Sequence, residues 1–368
     1  MSNKANTSPL SKKKTMRPVT KQNLITYVIV IAAFTLFQTL SATGNLKYAH
    51  KALLVPVCTS IIMAVSLNLV VGVLGELSLG HAGFMCVGAY AGSFFSVLME
   101  DIITTTWIRF TLAFVIAAVA AAVAGILIGI PVLRLKGDYL AIVTLAFGEI
   151  IKTVVNALYI GKDSNGFHVA LDSANLNLGE DGTVILKGPL GITGTPKDST
   201  FVIGFILIMI TLFIVTNLMD SRTGRAIMSI RDNRIAAESV GIDVTKYKLM
   251  VFTISAAIAG CAGVLYSHNI STLTATTSNF GYNMSILVLV YVVLGGLGNI
   301  RGSVIAATIL YALPELLRGF SEYRMLIYAI ILILMMIFNN GTFFVKFREK
   351  LALTVSGKFK KNNAKEVG

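Results

Sequence analysis

Long apolar runs separated by short polar segments dominate the hydrophobic pattern of this chain. Ten runs approach or reach the length of about 17–25 residues that an α-helix needs to cross a bilayer. The eighth and ninth are short and are divided only by GGLGNIRG, so the pattern allows nine or ten spans. The pattern predicts an all-α polytopic membrane protein. The runs are 24–40, 52–72, 79–99, 110–132, 139–158, 200–219, 249–267, 284–298, 303–317 and 325–343.

Composition supports this interpretation. Of the 368 residues, 55% are hydrophobic and 13% are charged, whereas soluble domains have about 45–50% apolar and about 25% charged residues. A chain with so few polar side chains cannot cover its surface for water, so lipid must be most of its solvent. The net charge of +13 is better explained by cytoplasmic loops and anionic lipid than by nucleic acid.

The positive charges predict an orientation. With the N-terminus inside, 22 of the 31 Lys and Arg residues lie on the cytoplasmic side, 8 lie outside and Lys152 lies within a span. This bias predicts that both termini are cytoplasmic. We expect a basic N-terminal tail (1–23), a transmembrane domain (24–343) and a basic C-terminal tail (344–368). The first apolar run is expected to be an uncleaved signal anchor.

Small residues four apart recur on the predicted helices, and this spacing lets helix backbones approach closely in lipid. The pairs include Gly125 with Gly129 and Ala256 with Gly260. The glycine-rich stretches 72–83 and 295–302 are also candidates for the helix breaks that transporters use at their pathways. The glycines expected in packing or the pathway are Gly80, Gly83, Gly88, Gly92, Gly295, Gly296, Gly298 and Gly302.

Two opposite charges lie within the fifth predicted span. Glu149 and Lys152 are three residues apart, so they share one helix face. Ionisable groups inside a membrane are functional candidates, but a neutralised structural pair or a contact to a partner subunit is the favoured interpretation. Glu76 lies at a predicted membrane boundary, where we expect water to solvate it. The four histidines have no metal-ligand spacing, and no catalytic constellation is evident.

The predicted external loop, 159–199, has the composition of a small β-hairpin. Asn165-Gly166 and Asp181-Gly182 are turn signals, and Thr183–Lys187 is a strand-like run. Such a hairpin is either a docking surface for an extracellular binding protein or a solvated connector. The sequence does not favour one of these over the other.

A polar and basic segment, 220–248, lies between two strongly apolar spans. Its residues from Ala226 to Val240 favour a short amphipathic helix that is too polar to cross the membrane. The segment could lie on the membrane surface, be an ordinary basic loop or dock on a soluble partner. Ile227, Ile230, Ile235 and Ala236 are expected near one stripe, with Arg225, Arg231, Asp232 and Arg234 in water.

The stretch IAAESVG (235–241) resembles the EAA-x-x-x-G signature of ABC importer permeases, with Ile235 where that signature has Glu. The longer run GRAIMSIRDNRIAAESVGI is similar to the branched-chain amino-acid subfamily. So are GELSLGHAGFMCVGAYAG (75–92), LRLKGDYLAIVTLAFGEIIK (133–152) and VLGGLGNIRGSVIAATIL (293–310). The resemblance covers about 50–343, and it identifies the chain as a member of the M-type permease subunits of branched-chain amino-acid ABC importers.

The resemblance implies a bacterial cytoplasmic membrane protein with three kinds of partner. These are a second permease of similar fold, two cytoplasmic ATPase subunits and an extracellular or periplasmic substrate-binding protein. It also implies that segment 220–248 is the coupling helix seated in a groove of the ATPase. We expect Arg225, Arg231 and Arg234 to make charged contacts there, and Ala236, Ala237 and Gly241 to allow close seating.

The resemblance further implies a transport subunit rather than an enzyme. The sequence has no phosphate-binding G-x-x-x-x-G-K-[ST] loop, so ATP and Mg are expected on the partner ATPase and no cofactor on this chain. A secondary transporter, a channel and a membrane-embedded enzyme are the rival classes. Within the importer class, urea or short amides are the alternative to leucine, isoleucine and valine as substrate.

Overall fold

The computed structural model describes residues 18–44, 48–135, 137–163, 166–172, 176, 178, 182–317 and 323–340. The chain divides into two units, Met1–Lys47 and Tyr48–Gly368. Helix α1 (Pro18–Ala42) is the described part of the first unit, and its apolar stretch Leu24–Ala42 is long enough to cross a membrane. It begins within the predicted tail 1–23, because proline suits a first helical turn, where no N–H is needed. The predicted C-terminal tail, 344–368, lies outside the described residues.

Helices make up most of the described part of the second unit, and each apolar run of the sequence from 52–72 onward corresponds to one of them. Eight helices of the described chain are long and apolar enough to cross a membrane. Helices α12 and α13 have 17 residues each, so the exact number of crossings stays a prediction. The helices are α2 (Tyr48–Asn68), α3 (His81–Leu98), α4 (Thr106–Val132), α5 (Asp138–Ala157), α6 (Phe201–Asp220), α7 (Arg222–Asp232), α8 (Arg234–Ser239), α9 (Val244–Ser267), α10 (Thr277–Phe280), α11 (Tyr282–Gly295), α12 (Ile300–Leu316) and α13 (Arg324–Asn340).

Helices α3, α4 and α9 pack closely against one another. A Cβ added at Gly88 of α3 would overlap the backbone of Gly260 on α9. A Cβ at Gly125 of α4 would lie 2.8 Å from the Ala256 side chain of α9. The small-residue spacing therefore places three helices at backbone contact, as helices in lipid require in the absence of a hydrophobic driving force.

The contact between Gly88 and Gly260 allows a stability prediction. We expect Gly88→Val to lower the free energy of unfolding by about 1–3 kcal/mol, because added bulk must push α3 and α9 apart. The midpoint of thermal unfolding in detergent measures this loss. Ala91→Val on the same helix, at a half-buried position, is the control and should unfold near the parent temperature. Equal midpoints for the two variants would contradict the packing argument.

A five-stranded antiparallel sheet covers one end of the bundle. The strands are β1 (Tyr159–Asp163), β2 (Gly166–Ala170), β3 (Thr183–Lys187), β4 (Ile192–Thr193) and β5 (Thr272–Leu273), in the order β2-β1-β3-β4-β5. The predicted strand at Thr183–Lys187 is confirmed. The β-structure also extends beyond the predicted loop 159–199, because β5, from the segment after α9, pairs with β4.

Helices α6 and α9 connect this sheet end to the opposite end, where α7 and α8 lie. We call the pair α7 and α8, with the residues that flank them (221–243), the polar hairpin. Helix α6 leads into it and α9 leads out of it. The hairpin and the sheet are therefore at opposite ends of the membrane-spanning bundle.

Candidate functional site

The polar hairpin consists of two helices, and the prediction of one continuous helix over Ala226–Val240 was wrong. Asn233 interrupts it with an extended backbone (φ −156°, ψ 104°). Its side-chain oxygen accepts a hydrogen bond from the Ala236 N–H at 3.1 Å and so caps α8. Ser221 caps α7 in the same way, through the Gly224 N–H at 3.0 Å. Asparagine and serine compete well for such backbone donors, which favours a new helix start at each site.

The inner face of the hairpin is apolar. Ile230, Ala237 and Val244 form a buried cluster that joins α7, α8 and α9, and Ile227 is fully buried. The predicted stripe is confirmed at Ile227 and Ile230. Ala237, which we expected to seat a partner, is 3% exposed, and it instead holds α8 against its neighbours.

The outer face of the hairpin presents apolar side chains to solvent. Ile235 is 80% exposed and Val240 is 76% exposed, so the prediction that Ile235 shares the buried stripe was wrong. Ala236 and Gly241 are exposed beside them. Gly241 has φ +86° and open space around it, a conformation that favours glycine. Exposed apolar side chains on an otherwise polar element are typical of a protein-binding surface.

Charged residues flank this outer face in two different ways. Arg225 is exposed, and its Nη1 donates to the Asp220 carbonyl at 3.3 Å. Arg234 is half-buried and pairs with Glu238 of the same helix at 2.9 Å. Both are therefore placed to contact a partner. Their predicted role in binding an ATPase stays a prediction.

The side chain of Arg231 is also 39% exposed and pairs with Asp232, but it extends to the end of α2. Helix α2 continues as a buried π-helical segment, Leu69–Leu74, which ends at Gly75 with φ +80°. Arg231 Nη1 donates to the Gly72 carbonyl at 3.1 Å. A Cβ at Gly75 would lie 2.6 Å from Arg231 Cγ, so the side chain passes directly over this glycine. Carbonyls at a helix C-terminus lack internal donors and carry partial negative charge. A guanidinium supplies both N–H donors and positive charge.

The two glycine-rich stretches meet at this point. Asn68, at the end of α2, accepts a hydrogen bond from the Gly298 N–H at 2.8 Å. Its amide nitrogen donates to Ser303 Oγ of α12, also at 2.8 Å. A Cβ at Gly72 would overlap both Asn68 and the Gly298 backbone. We call Asn68, Gly72, Arg231 and Gly298 the junction; it joins the hairpin to two breaks between membrane helices.

A second link lies beside the junction. Lys248, near the start of α9, forms an ion pair with Glu76, which follows the π-helical segment. Their side chains are 5% and 16% exposed. The expectation that water solvates Glu76 was wrong, because α9 covers it. Paired charges of low exposure are stable only together, so this pair fixes the non-helical segment 75–80 to α9.

The predicted glycines have three different roles. Gly80 and Gly83 lie against α5, where a Cβ would meet Thr144 and Gly148, and Gly88 and Gly92 lie against α9. Gly295 and Gly302 touch each other across the tight turn between α11 and α12. Gly298 lies instead against Gly72, at the helix break that the glycine-rich stretch 295–302 predicts. Gly296 and Gly298 have φ of +93° and +77° in that turn.

Glu149 and Lys152 form the ion pair that their spacing predicts. They lie on α5 toward the sheet end, away from the junction. No group of three or more His, Cys, Asp or Glu residues could hold a metal ion in the part of the chain that the structure describes.

Sequence reasoning missed Asn68 and Lys248, and it missed the partner of Glu76. Asn68 is a single polar residue in a long apolar run, which is a signal in itself. Glu76 and Lys248 are separated by 172 positions, and no local pattern connects them.

The family model of the permease component of a branched-chain amino acid transport system matches residues 51–338. The high-affinity branched-chain amino acid transport system permease proteins LivM of Salmonella typhimurium and Escherichia coli K12 are each 36% identical over 289 residues. The aligned region covers 76% of this chain but only 66% of each LivM, just under two thirds. The fructose import permease protein FruG of Bifidobacterium longum is 28% identical over 160 residues, 41% of this chain and 46% of that protein. No solved structure matches the chain.

Proposed function

The chain belongs to the family of permease components of branched-chain amino acid transport systems, and from this premise we propose that it is one permease subunit of an ATP-binding-cassette importer. In this proposal it forms half of a transmembrane pathway in a bacterial cytoplasmic membrane. A second permease of similar fold forms the other half. Two separate ATPase subunits supply the energy, and a soluble binding protein delivers the solute.

The exposed apolar face of the polar hairpin carries this proposal. Ile235 and Val240 are exposed at the tip of a segment that is tied to the membrane helices through Arg231. A surface that couples a soluble ATPase to transport needs both properties: it must be accessible to the ATPase, and it must be bonded to the membrane helices. The junction provides the link, because Arg231 bonds the hairpin to the break after α2, and Asn68 of α2 bonds to the turn between α11 and α12.

The distribution of positive charge supports a cytoplasmic location for the hairpin end. Six of the Lys and Arg residues lie between 220 and 248, and basic residues accumulate on the cytoplasmic side. The sheet end then faces the outside, where a substrate-binding protein could dock on it. In this orientation the ATPases and the binding protein contact opposite ends of the same bundle.

The proposed substrates are leucine, isoleucine and valine. Both LivM proteins are named for branched-chain amino acids, and each aligns over 289 residues. This favours amino acids over urea or short amides. The similarity to a fructose permease shows that related permeases bear the names of different solutes. Solute uptake must therefore be measured directly.

Reconstitution of the importer tests the proposed function. The chain, its partner permease, the two ATPases and the binding protein are placed in liposomes, and uptake of radiolabelled leucine is measured with and without ATP. We expect uptake only with ATP and only with the ATPases present. Full uptake by the chain alone would contradict an importer subunit. ATP-dependent uptake of urea instead of leucine would retain the importer and replace the substrate.

Substitution of Ile235 tests the docking surface. We expect Ile235→Ser to weaken ATPase binding about tenfold to a hundredfold, because an apolar side chain that becomes buried on binding contributes about 1.5–3 kcal/mol. The matched control is Leu190→Ser at the sheet end, since Leu190 is also apolar and 66% exposed. Co-purification of the ATPases with each membrane-inserted variant measures the effect. Normal recovery with Ile235→Ser, or loss with Leu190→Ser, would contradict docking at the hairpin.

A further inference from the structure

Three polar side chains form a stripe on one face of α5, an otherwise apolar helix. Glu149, Lys152 and Asn156 are spaced by three and four residues, so they lie above one another on the helix surface. All three bind the same stretch of chain, residues 272–282. We call residues 272–281 the strap; it comprises β5, α10 and the residues around them, and α11 follows it directly.

The charged pair holds the end of the strap. Glu149 Oε1 accepts a hydrogen bond from the Tyr282 N–H, the first residue of α11, at 2.7 Å. The first N–H groups of a helix have no internal acceptor, and a carboxylate there is favoured by the helix dipole. Lys152 donates to Thr277 Oγ1 at 3.1 Å while it pairs with Glu149. Each charge therefore has a specific partner on the strap side in addition to its neighbour on α5.

The middle of the strap is bound to two helices. Asn156 of α5 donates from Nδ2 to the Ala275 carbonyl at 2.8 Å. On the other side, the Tyr90 hydroxyl of α3 donates to the Leu273 carbonyl at 3.2 Å. Side chains from α5 and α3 thus satisfy strap carbonyls, and the strap connects these helices.

An aromatic side chain anchors the strap in the bundle. Phe280 is fully buried, and its ring meets Tyr266 edge-on at a centroid distance of 5.6 Å and Tyr90 at 6.2 Å. Since α11 begins directly after it and has only 14 residues, the strap occupies part of the membrane depth that a full-length helix would fill. It therefore enters the bundle from the sheet end and does not merely lie across its surface.

The strap is also continuous with the sheet. Leu273 and Thr272 pair with Ile192 and Thr193 of β4, and the Gly194 N–H donates to the Ser271 carbonyl at 3.0 Å. A force applied to the sheet would therefore act on the strap directly. The polar stripe of α5 is the connection that opposes such a movement.

We propose that the strap closes the sheet end of the pathway and that Glu149 and Lys152 are positioning residues that latch it to α5. This inference rests on the proposed function, which supplies the pathway that the strap would close. A protein that docks on the sheet would open that end by shifting the strap away from α5. In this role the two charges cannot be exchanged, because Glu149 must accept a hydrogen bond from the α11 N-terminus and Lys152 must donate one to Thr277.

Thiol labelling of the purified permease in detergent tests the latch. The reporter is Ala275→Cys, because Ala275 is a strap residue that is only 3% exposed. Labelling by a charged maleimide is measured against the parent, in which Cys58 and Cys86 are buried and Cys261 is half-buried. We expect Glu149→Gln and Lys152→Met each to raise the labelling rate of the reporter about tenfold, since each removes a charge-assisted bond to the strap.

The charge-swapped variant Glu149→Lys/Lys152→Glu separates a latch from simple neutralisation. It keeps the opposite charges three residues apart, but lysine at 149 cannot accept from the Tyr282 N–H. We expect it to label as fast as the single variants. If the swapped variant labels as slowly as the parent reporter, an opposite-charge pair in either order is enough to protect the strap. That result would overturn the latch.

A second reporter excludes general unfolding. Ala237 is 3% exposed at the opposite end of the bundle, and Ala237→Cys should stay slowly labelled in all three variants. If both reporters label quickly, the pair supports the whole fold and the latch is overturned. None of these outcomes involves the ATPases, so failure of the latch leaves the proposed function intact.

Discussion

We expect the Arg231→Ala variant to bind its ATPase subunits normally and to transport about tenfold to a hundredfold more slowly. Its guanidinium bonds to the Gly72 carbonyl at the end of the π-helical segment. A hydrogen bond to a charged group contributes about 1.5–3 kcal/mol, and each 1.4 kcal/mol is about a factor of ten. Without this bond the hairpin can still move with the ATPase, but its movement is not transmitted to the break after α2. Measured together, ATP hydrolysis and leucine uptake should become uncoupled.

Two variants define the outcome for Arg231. Arg222→Ala removes an exposed arginine from the same helix and should leave uptake unchanged. Arg231→Lys keeps the charge but loses the planar fork that contacts Gly72 and Asp232 together, so an intermediate uptake is expected. Loss of ATPase binding in Arg231→Ala would instead assign this arginine to the partner interface, as the family resemblance implied.

The largest loss of stability is expected from Lys248→Met. This change leaves the Glu76 carboxylate under α9 without its partner, and breaking a buried pair from one side costs about 3–5 kcal/mol. The yield of monodisperse protein after detergent extraction should fall sharply, and its unfolding midpoint should decrease.

The double variant Lys248→Met/Glu76→Gln provides the control. With both charges removed, no uncompensated carboxylate is left, and most of the lost stability should return. Failure of the second change to restore the midpoint would mean that Lys248 stabilises the fold through its packing and not through Glu76.

The helices of this protein are largely readable from its sequence. The predicted runs 139–158 and 200–219 differ by one residue at each end from α5 and α6. In lipid every backbone N–H and C=O must be satisfied within the segment, so a long apolar run has few alternatives to a helix. The strand at Thr183–Lys187 was predictable for a different reason, because its composition and flanking turn residues favour extended structure.

The polar hairpin was harder to predict. Its residues favour helix almost throughout, and helix propensity does not reveal the interruption at Asn233. There, capping of a second helix by the Asn233 side chain competes with continuation of the first, and the apolar cluster of Ile230, Ala237 and Val244 decides the result. That cluster requires α8 to fold back on α9, which is a tertiary condition.

The sequence by itself determined that the chain crosses the membrane many times, where most helices lie, and which polar segments are available for chemistry. The tertiary structure alone decided how individual polar residues are used: Arg231 donates to the Gly72 carbonyl of another element while Arg225 donates to the nearby Asp220 carbonyl, and Lys248 meets Glu76 from 172 positions away. The physical reason is that helix formation depends on neighbours within a few residues. The choice of partner between helices depends on which glycines allow two backbones to touch, and that fit exists only once the bundle has assembled.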